Sequence, residues 1–419
     1  MMGGGRAILF AALFGAATGC LVHERDGPRD PTEAGAVDAG AADAWRSVPL
    51  DGATWDVPPR ASPDGCVDYV DQDGGWTPVA RWDAGGRTGS PSRAAAIVDD
   101  GVGFGLVWED WSDLTIRFAR VDRDGRILAH TSIAPGGGGR IYPAIGWNGE
   151  RFGVAFQSGV GAMSWAELST DAVVITSGTP QASDICSFHR TMLWSGDRWT
   201  RMTTAESSTH AVITQMFPDG SSRSHVIDEI EANACDTISA AWDGTGFAVT
   251  WSDWTEAGHS RMRFARLDRD GMFVVGSDRT LGDDPGEIVE GFYIVWTGTD
   301  FVAFDGGTRL LHLARDGTIS SSVPVGDPIN GFFESLVADG CGFWMVDPNY
   351  VDIGFRYVSA NGTRVTMLEG AQTGDSMLAL GDPGEAGFVV SSTFGVVFAR
   401  VTPTGILGGW RAISTAASP

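Results

Sequence analysis

The chain has 419 residues, with 29 basic and 53 acidic side chains, a net charge of −24 and 43% hydrophobic residues. Every basic residue is Arg, so Schiff-base chemistry, a lysine general base and a Walker-type phosphate lysine are excluded, because each needs an amine side chain. The negative field also repels polyanions, so no nucleic-acid partner is expected. The apolar content suffices for a large core, and Gly, at 58 residues, is close to double its usual share of about 7%.

Residues 1–20 combine Arg6, an apolar stretch from Ala7 to Phe14 and the small residues Gly15-Ala16-Ala17-Thr18-Gly19 before Cys20. This is the pattern of an export signal. The apolar run is far below the roughly 20 residues needed to cross a bilayer. Its end at Gly19-Cys20 resembles the lipobox of bacterial lipoproteins, which implies that Cys20 is lipidated and anchors the mature chain. Leu21 stands where members of that family retained at the inner membrane carry Asp, so the resemblance implies the outer membrane or cell surface. The alternative is an ordinary signal with a buried or disulfide-bonded Cys20.

Residues 21–63 follow as a flexible tether rich in Ala, Gly, Asp and Pro, which buries too little surface to offset its ordering entropy. Residues 21–65 carry four Arg against nine acids, so most of the acidity belongs to the remainder, and the folded domain is expected over residues 64–419. That remainder is repetitive. A turn of the form Trp/Asp-x-Gly-x-x-Phe recurs, with closing aromatics at Phe104, Phe152, Trp199, Phe247, Phe301, Phe343 and Phe388, a mean period of about 47 residues.

A second turn keeps the same beat at Asp124-Gly125, Asp219-Gly220, Asp270-Gly271, Asp316-Gly317, Asn361-Gly362 and Thr404-Gly405, and only the second copy, near Ser169-Thr170-Asp171, lacks its glycine. Asp-Gly and Asn-Gly between alternating strands signal tight hairpins, since Gly supplies positive φ without strain. Each period therefore reads as four short antiparallel strands. Radial repetition of such sheets is the β-propeller solution.

The expectation is an all-β, seven-bladed propeller, with blades near 91–138, 139–184, 185–233, 234–286, 287–329, 330–374 and 375–415. Residues 66–86 are expected to close the ring by adding a strand to the last blade. The alternative is eight blades, counting the N-terminal half repeat. The repeats resemble those of secreted lipoproteins of GC-rich Gram-negative bacteria with Trp-x-Gly-x-x-Phe-x-Val-x-Trp units, a likeness that covers residues 94–415 and implies fold without an activity.

In a propeller, the loops between second and third strands share one face with the connections between blades, and ligands usually bind there. On that face Trp108-Glu109-Asp110-Trp111-Ser112-Asp113 matches Trp251-Ser252-Asp253-Trp254-Thr255-Glu256. Exposed indoles beside carboxylates suit sugar rings or a protein hot spot. Trp108 and Trp251 are expected in the core, while Trp111, Trp254, Asp110, Asp253, Asp113 and Glu256 form the candidate ligand face, against the alternative that shared ancestry explains the match. Asp283, Asp284, Glu287, Asp347 and Asp352 read as solvated loop charge, and no His spacing suits a metal.

Beyond Cys20, four cysteines remain in an oxidising compartment. Cys186 with Cys235 and Cys66 with Cys341 are the expected pairs, although four cysteines allow three connectivities. With no readable catalytic constellation, metal site or cofactor, the reading is a monomeric binding module for an unknown extracellular protein or polysaccharide, touching the membrane only through its lipid. The rival is an extracellular glycan-active hydrolase or lyase.

Overall fold

The computed structural model describes residues 77–78, 92–110, 113–135, 142–158, 162–179, 185–186, 191–205, 210–232, 238–254, 260–283, 293–305, 308–325, 335–348, 352–359, 365–372, 375–380, 385–392, 395–402 and 405–413. All of them belong to the unit Trp55–Pro419. They form an all-β propeller. The expected export signal, Cys20, the tether, Cys66 and Cys235 lie outside the described residues.

The first repeat pairs Ser92–Asp99, Gly103–Asp110, Thr115–Asp122 and Ile127–Pro135 in sequence order. The second pairs Ala144–Trp147, Phe152–Ser158, Ala162–Leu168 and Val174–Gly178, and the fourth Ile238–Trp242, Phe247–Trp254, Ser260–Leu267 and Arg279–Asp283. The fifth comprises Tyr293–Trp296, Phe301–Phe304, Arg309–Leu313 and Ile319–Pro324, and the sixth Ser335–Ala338, Gly342–Pro348, Asp352–Ser359 and Val365–Gln372. The last comprises Asp375–Leu380, Ala386–Ser392, Gly395–Thr402 and Gly405–Ala412.

These are six four-stranded antiparallel blades, where the sequence pattern led to seven or eight. The third repeat does not build a fourth continuous strand. Its inner segment is broken into Ile185–Cys186 and Leu193–Trp194, each pairing separately with Trp199–Ala205, which continues into His210–Met216 and Ser222–Glu231. Between the two pieces the backbone bonds elsewhere: Thr191 bridges Ile145 in parallel and Met192 N–H donates to the Ile145 carbonyl at 3.1 Å. Backbone groups committed to the neighbouring repeat cannot also extend their own ladder.

The N-terminal segment is corrected as well. Thr77–Pro78 runs parallel to the outer strand of the sixth repeat, in register with Leu368 and Glu369, where an addition to the last repeat was expected. The ring closes directly instead. Phe398 of the last repeat lies 5.2 Å from Phe104 of the first, inside one buried cluster that also holds Val389 and Ile413.

One packing rule recurs around the ring. In the second to fifth repeats the closing aromatic stacks on its own turn tryptophan: Trp147/Phe152 at 4.5 Å, Trp194/Trp199 at 5.0 Å, Trp242/Phe247 at 4.7 Å and Trp296/Phe301 at 4.7 Å. Its other side meets the third strand of the preceding repeat, as in Phe118/Phe152 at 5.1 Å and Phe264/Phe301 at 6.3 Å. The first repeat has Asp99 in place of the tryptophan, and there the Arg123 guanidinium covers Phe104 at 4.7 Å while bonding Asp99 at 2.9 Å. In the last repeat the position pairing like Phe343 with Val358 is Ala386 with Val401, so Phe388 stands two residues beyond the expected place.

The first turns are held by the residue before their glycine. Asp100 Oδ1 accepts from Val102 and Gly103 N–H at 2.8 and 2.6 Å, Asn148 from Glu150 and Arg151 at 2.9 and 2.7 Å, and Asp339 from Cys341 and Gly342 at 2.8 and 2.7 Å. Such side-chain caps mimic a backbone turn. In the second repeat, where the second turn lacks glycine, Ala172 itself takes φ of 60°.

Gly244 (φ 90°) and Gly317 (φ 84°) separate two reasons for glycine at turns. A Cβ at Gly244 would meet open space, whereas at Gly317 it would overlap the Phe264 ring of the preceding repeat. Gly244→Ala is expected to cost about 1–2 kcal/mol from backbone strain alone. Gly317→Ala should cost roughly 1–3 kcal/mol more from overpacking, and equal losses in urea unfolding would contradict the packing rule.

Candidate functional site

The second strands lie between neighbouring repeats, so both of their faces are covered and Gly103–Asp110 is buried throughout. Trp108 and Trp251 occupy equivalent positions, four residues after Phe104 and Phe247, and are 2% and 3% exposed. They belong to the core. The acids that follow them emerge at the end of the strand, where the chain turns toward the third strand.

In the first repeat Asp110 is itself only 4% exposed and accepts from Arg117 Nε at 3.0 Å. The same guanidinium donates to Asp113 at 2.6 Å and to Ser132 Oγ at 3.0 Å. In the fourth repeat Asp253 Oδ2 accepts from Arg261 Nη2 at 2.5 Å and from Arg263 Nη1 at 3.2 Å. Arg263 also binds Asp278 and lies 5.8 Å over the Trp251 ring. Arg117 and Arg263 are equivalent, since they pair in register with Trp108 and Trp251.

The structure therefore unites Asp110, Asp113 and Arg117 in one repeat and Asp253, Arg261 and Arg263 in the other. Trp111 and Glu256 lie outside the described residues, and Trp254 is described by its backbone pairing with Ser260 alone. The side chains of Asp283, Asp284, Glu287, Asp347 and Asp352 also lie outside that description. The sequence reading overlooked the arginines. The signal that would have found them is hairpin register, which sets Arg117 across from Trp108 and Arg263 across from Trp251.

A carboxylate held by one or two guanidiniums is a fixed charge-assisted acceptor, suited to orienting a ligand. Among the described residues no group of three or more His, Cys, Asp or Glu side chains could hold a metal ion.

The opposite end, with both hairpin turns, is electrostatically a fastening. Asp243 accepts from Thr245 and Gly246 through Oδ1 and from Arg266 at 2.8 Å through Oδ2. Burial opposes its ionisation, but those hydrogen bonds and the Arg266 charge outweigh it and hold the carboxyl below the usual carboxylate range. Asp300 is lowered in the same way: burial is outweighed by bonds from His312 and Thr297. Other pairs cross between repeats, including Arg198 and Arg223 on Asp270 at 3.0 and 2.6 Å, and Arg400 on Asp124 at 3.6 Å where the ring closes.

No protein family matches the sequence, and no curated protein matches it. Solved structures are similar in fold. Hydrazine synthase from Kuenenia stuttgartiensis shares 10% identity over 79% of this chain and 99% of that one, with a TM-score of 0.50. BamB from Moraxella catarrhalis shares 13% identity over 73% and 95%, with a TM-score of 0.45. A prolyl endopeptidase shares 12% over 78% of this chain with a TM-score of 0.44, and this chain spans 50% of its length. Such identities speak to the fold alone.

The ion pair at Asp110 yields a test. Arg117→Met removes a guanidinium from the buried Asp110 carboxylate and is expected to destabilise by about 1–3 kcal/mol. Adding Asp110→Asn should recover roughly half of that in a double-mutant cycle by chemical denaturation. Additive losses would mean that the two side chains are not coupled.

Proposed function

We propose that this protein is a lipid-anchored propeller that acts as a binding module at the outer membrane or cell surface. In this reading residues 1–20 are the export signal, Cys20 carries the lipid, residues 21–63 form the tether, and the propeller works as a monomer without a cofactor. The ligand is an extracellular protein or polysaccharide, gripped by Trp111 and Trp254 with Asp110, Asp113, Asp253 and Glu256 beside them. One observation carries the preference for binding over catalysis: the described acids of this face, Asp110, Asp113 and Asp253, are each engaged by arginine.

The test uses the full chain in a glycan-array screen and a pull-down from the cell envelope. Trp111→Ala with Trp254→Ala is expected to weaken the ligand so found by at least about tenfold, near 1.4 kcal/mol, without shifting the unfolding midpoint. Unchanged binding would remove this surface from consideration. Cys20→Ser should move the protein from the membrane fraction to the soluble one, and retention in the membrane would refute the anchor.

The cysteine pairs belong to the same reading, Cys66 with Cys341 and Cys186 with Cys235. Cys341 sits in the first turn of the sixth repeat, the repeat along whose outer strand Thr77–Pro78 runs. That placement supports a bond pinning the N-terminal segment to this repeat. Non-reducing peptide mapping should recover both linked peptides; free thiols at Cys186 and Cys235 would eliminate the second pair.

A further inference from the structure

The outer strands begin immediately after the second turns, at the end of the propeller opposite Asp110 and Asp253. An outer strand has an unpaired edge, which proteins commonly blunt with charge. Here several begin with exposed aliphatic residues instead: Ile127 and Leu128 in the first repeat, Val173, Val174 and Ile175 in the second, and Ile319 in the fifth. In the third repeat the corresponding positions are Ser222 and Arg223.

The fourth repeat extends this feature. After Gly271 its chain makes an excursion through Met272, Val274 and Val275 before the outer strand starts at Arg279, and Val275 is 91% exposed. The excursion is built. Val274 N–H donates to the Arg266 carbonyl at 2.9 Å, Ser277 N–H to the Val274 carbonyl at 3.0 Å, Arg266 N–H to Ser277 Oγ at 2.9 Å, and Arg279 Nη1 to the Gly276 carbonyl at 2.9 Å. Single exposed aliphatics are ordinary on a protein surface, but Ile127, Val174 and Ile319 recur at one structural position in three repeats, across from Val121, Leu168 and Leu313, and the fourth repeat's excursion adds to them next to the equivalent Phe273.

Charge identifies the occupant. Each of these segments follows an exposed turn-tip aspartate: Asp124, Asp171, Asp270 and Asp316. Asp270 is held by Arg198 and Arg223, and Asp124 lies 3.6 Å from Arg400, so Asp171 and Asp316 carry the charge offered to a partner. Aliphatic side chains beside carboxylates, on a chain of net charge −24, complement groups that are cationic and apolar together. An anionic lipid surface would be repelled by the same field.

We propose that this rim is a second docking surface and that it takes a basic, aliphatic-rich segment of a partner polypeptide. The aliphatics supply the buried contact and the aspartates supply its orientation. The surface does not involve Trp111 or Trp254, so it stands or falls apart from the ligand face.

The full chain is titrated by fluorescence anisotropy with a labelled peptide of alternating Lys and Leu, alongside Lys/Ser and Glu/Leu peptides of equal length. The Lys/Leu peptide should bind at least about tenfold more tightly than either control. Val174→Ser with Val275→Ser should weaken it about tenfold, and Asp171→Asn with Asp316→Asn should weaken it and reduce its salt dependence. Hydrogen exchange in the complex should be slowed around residues 124–128, 171–175 and 270–277. Equal affinity for the Lys/Ser peptide, unchanged binding by the serine variant, protection around Arg117 and Arg263 instead, or no binding at all would each overturn the proposal.

Discussion

The contact on which the ring depends is the closing aromatic, which in the second to fifth repeats stacks on its own turn tryptophan and packs toward the repeat before it. Phe152 shows the arrangement whole, with Trp147 on one side and Phe118 on the other. Aromatic pairs of this kind contribute about 0.5–1.5 kcal/mol each beyond the area they bury. Because every such residue belongs to two repeats at once, no blade completes its core alone. Small residues are forced where an aromatic lands: a Cβ at Gly105, Gly153 or Gly387 would overlap the ring of Phe152, Trp199 or Phe104.

The polar groups follow the same geometry. Where the residue before the closing aromatic is glycine, as at Gly103 and Gly246, a Cβ would strike the carbonyl of Val121 or Leu267, and the turn aspartate reaches the third-strand arginine directly. Where it carries a side chain, that side chain makes the bond, as in Arg151 with Glu167 at 2.9 Å and Asp300 with His312 at 2.7 Å. An all-arginine chain suits this role. Arg198 binds Asp197 and Asp270 with separate nitrogens, a use of the planar fork that a lysine ammonium serves less well. Part of the acidity is thus internal fastening, while the excess of acids over arginines, a net charge of −24, remains as the negative field.

The hairpins were legible from sequence because their cause is local. Turn glycines, the oxygen-bearing residues before them and the apolar alternation all act within a few residues, and they identified the propeller, its repetition and the core placement of Trp108 and Trp251. The third repeat misled because its glycines and aromatics are intact while the backbone at Thr191 and Met192 bonds to Ile145, a choice made by the neighbouring repeat. The last repeat misled because Ala386 fills a position that elsewhere holds an aromatic. Around Asp110 and Asp253 the acids were legible and their arginine partners were not, since Arg117 and Arg263 acquire meaning only from the strand they lie against.

The sequence by itself therefore determined the strand and turn pattern, the all-β class and the regular beat, because positive φ at glycine and alternation of apolar residues are short-range constraints. Tertiary structure alone decided how many repeats become four-stranded blades, which repeat receives Thr77–Pro78, how the ring closes at Phe104 and Phe398, and which carboxylates are already held by arginine. Those outcomes rest on contacts between residues far apart in the chain, where backbone hydrogen bonds and ring packing compete between neighbours, and no local pattern records which neighbour wins.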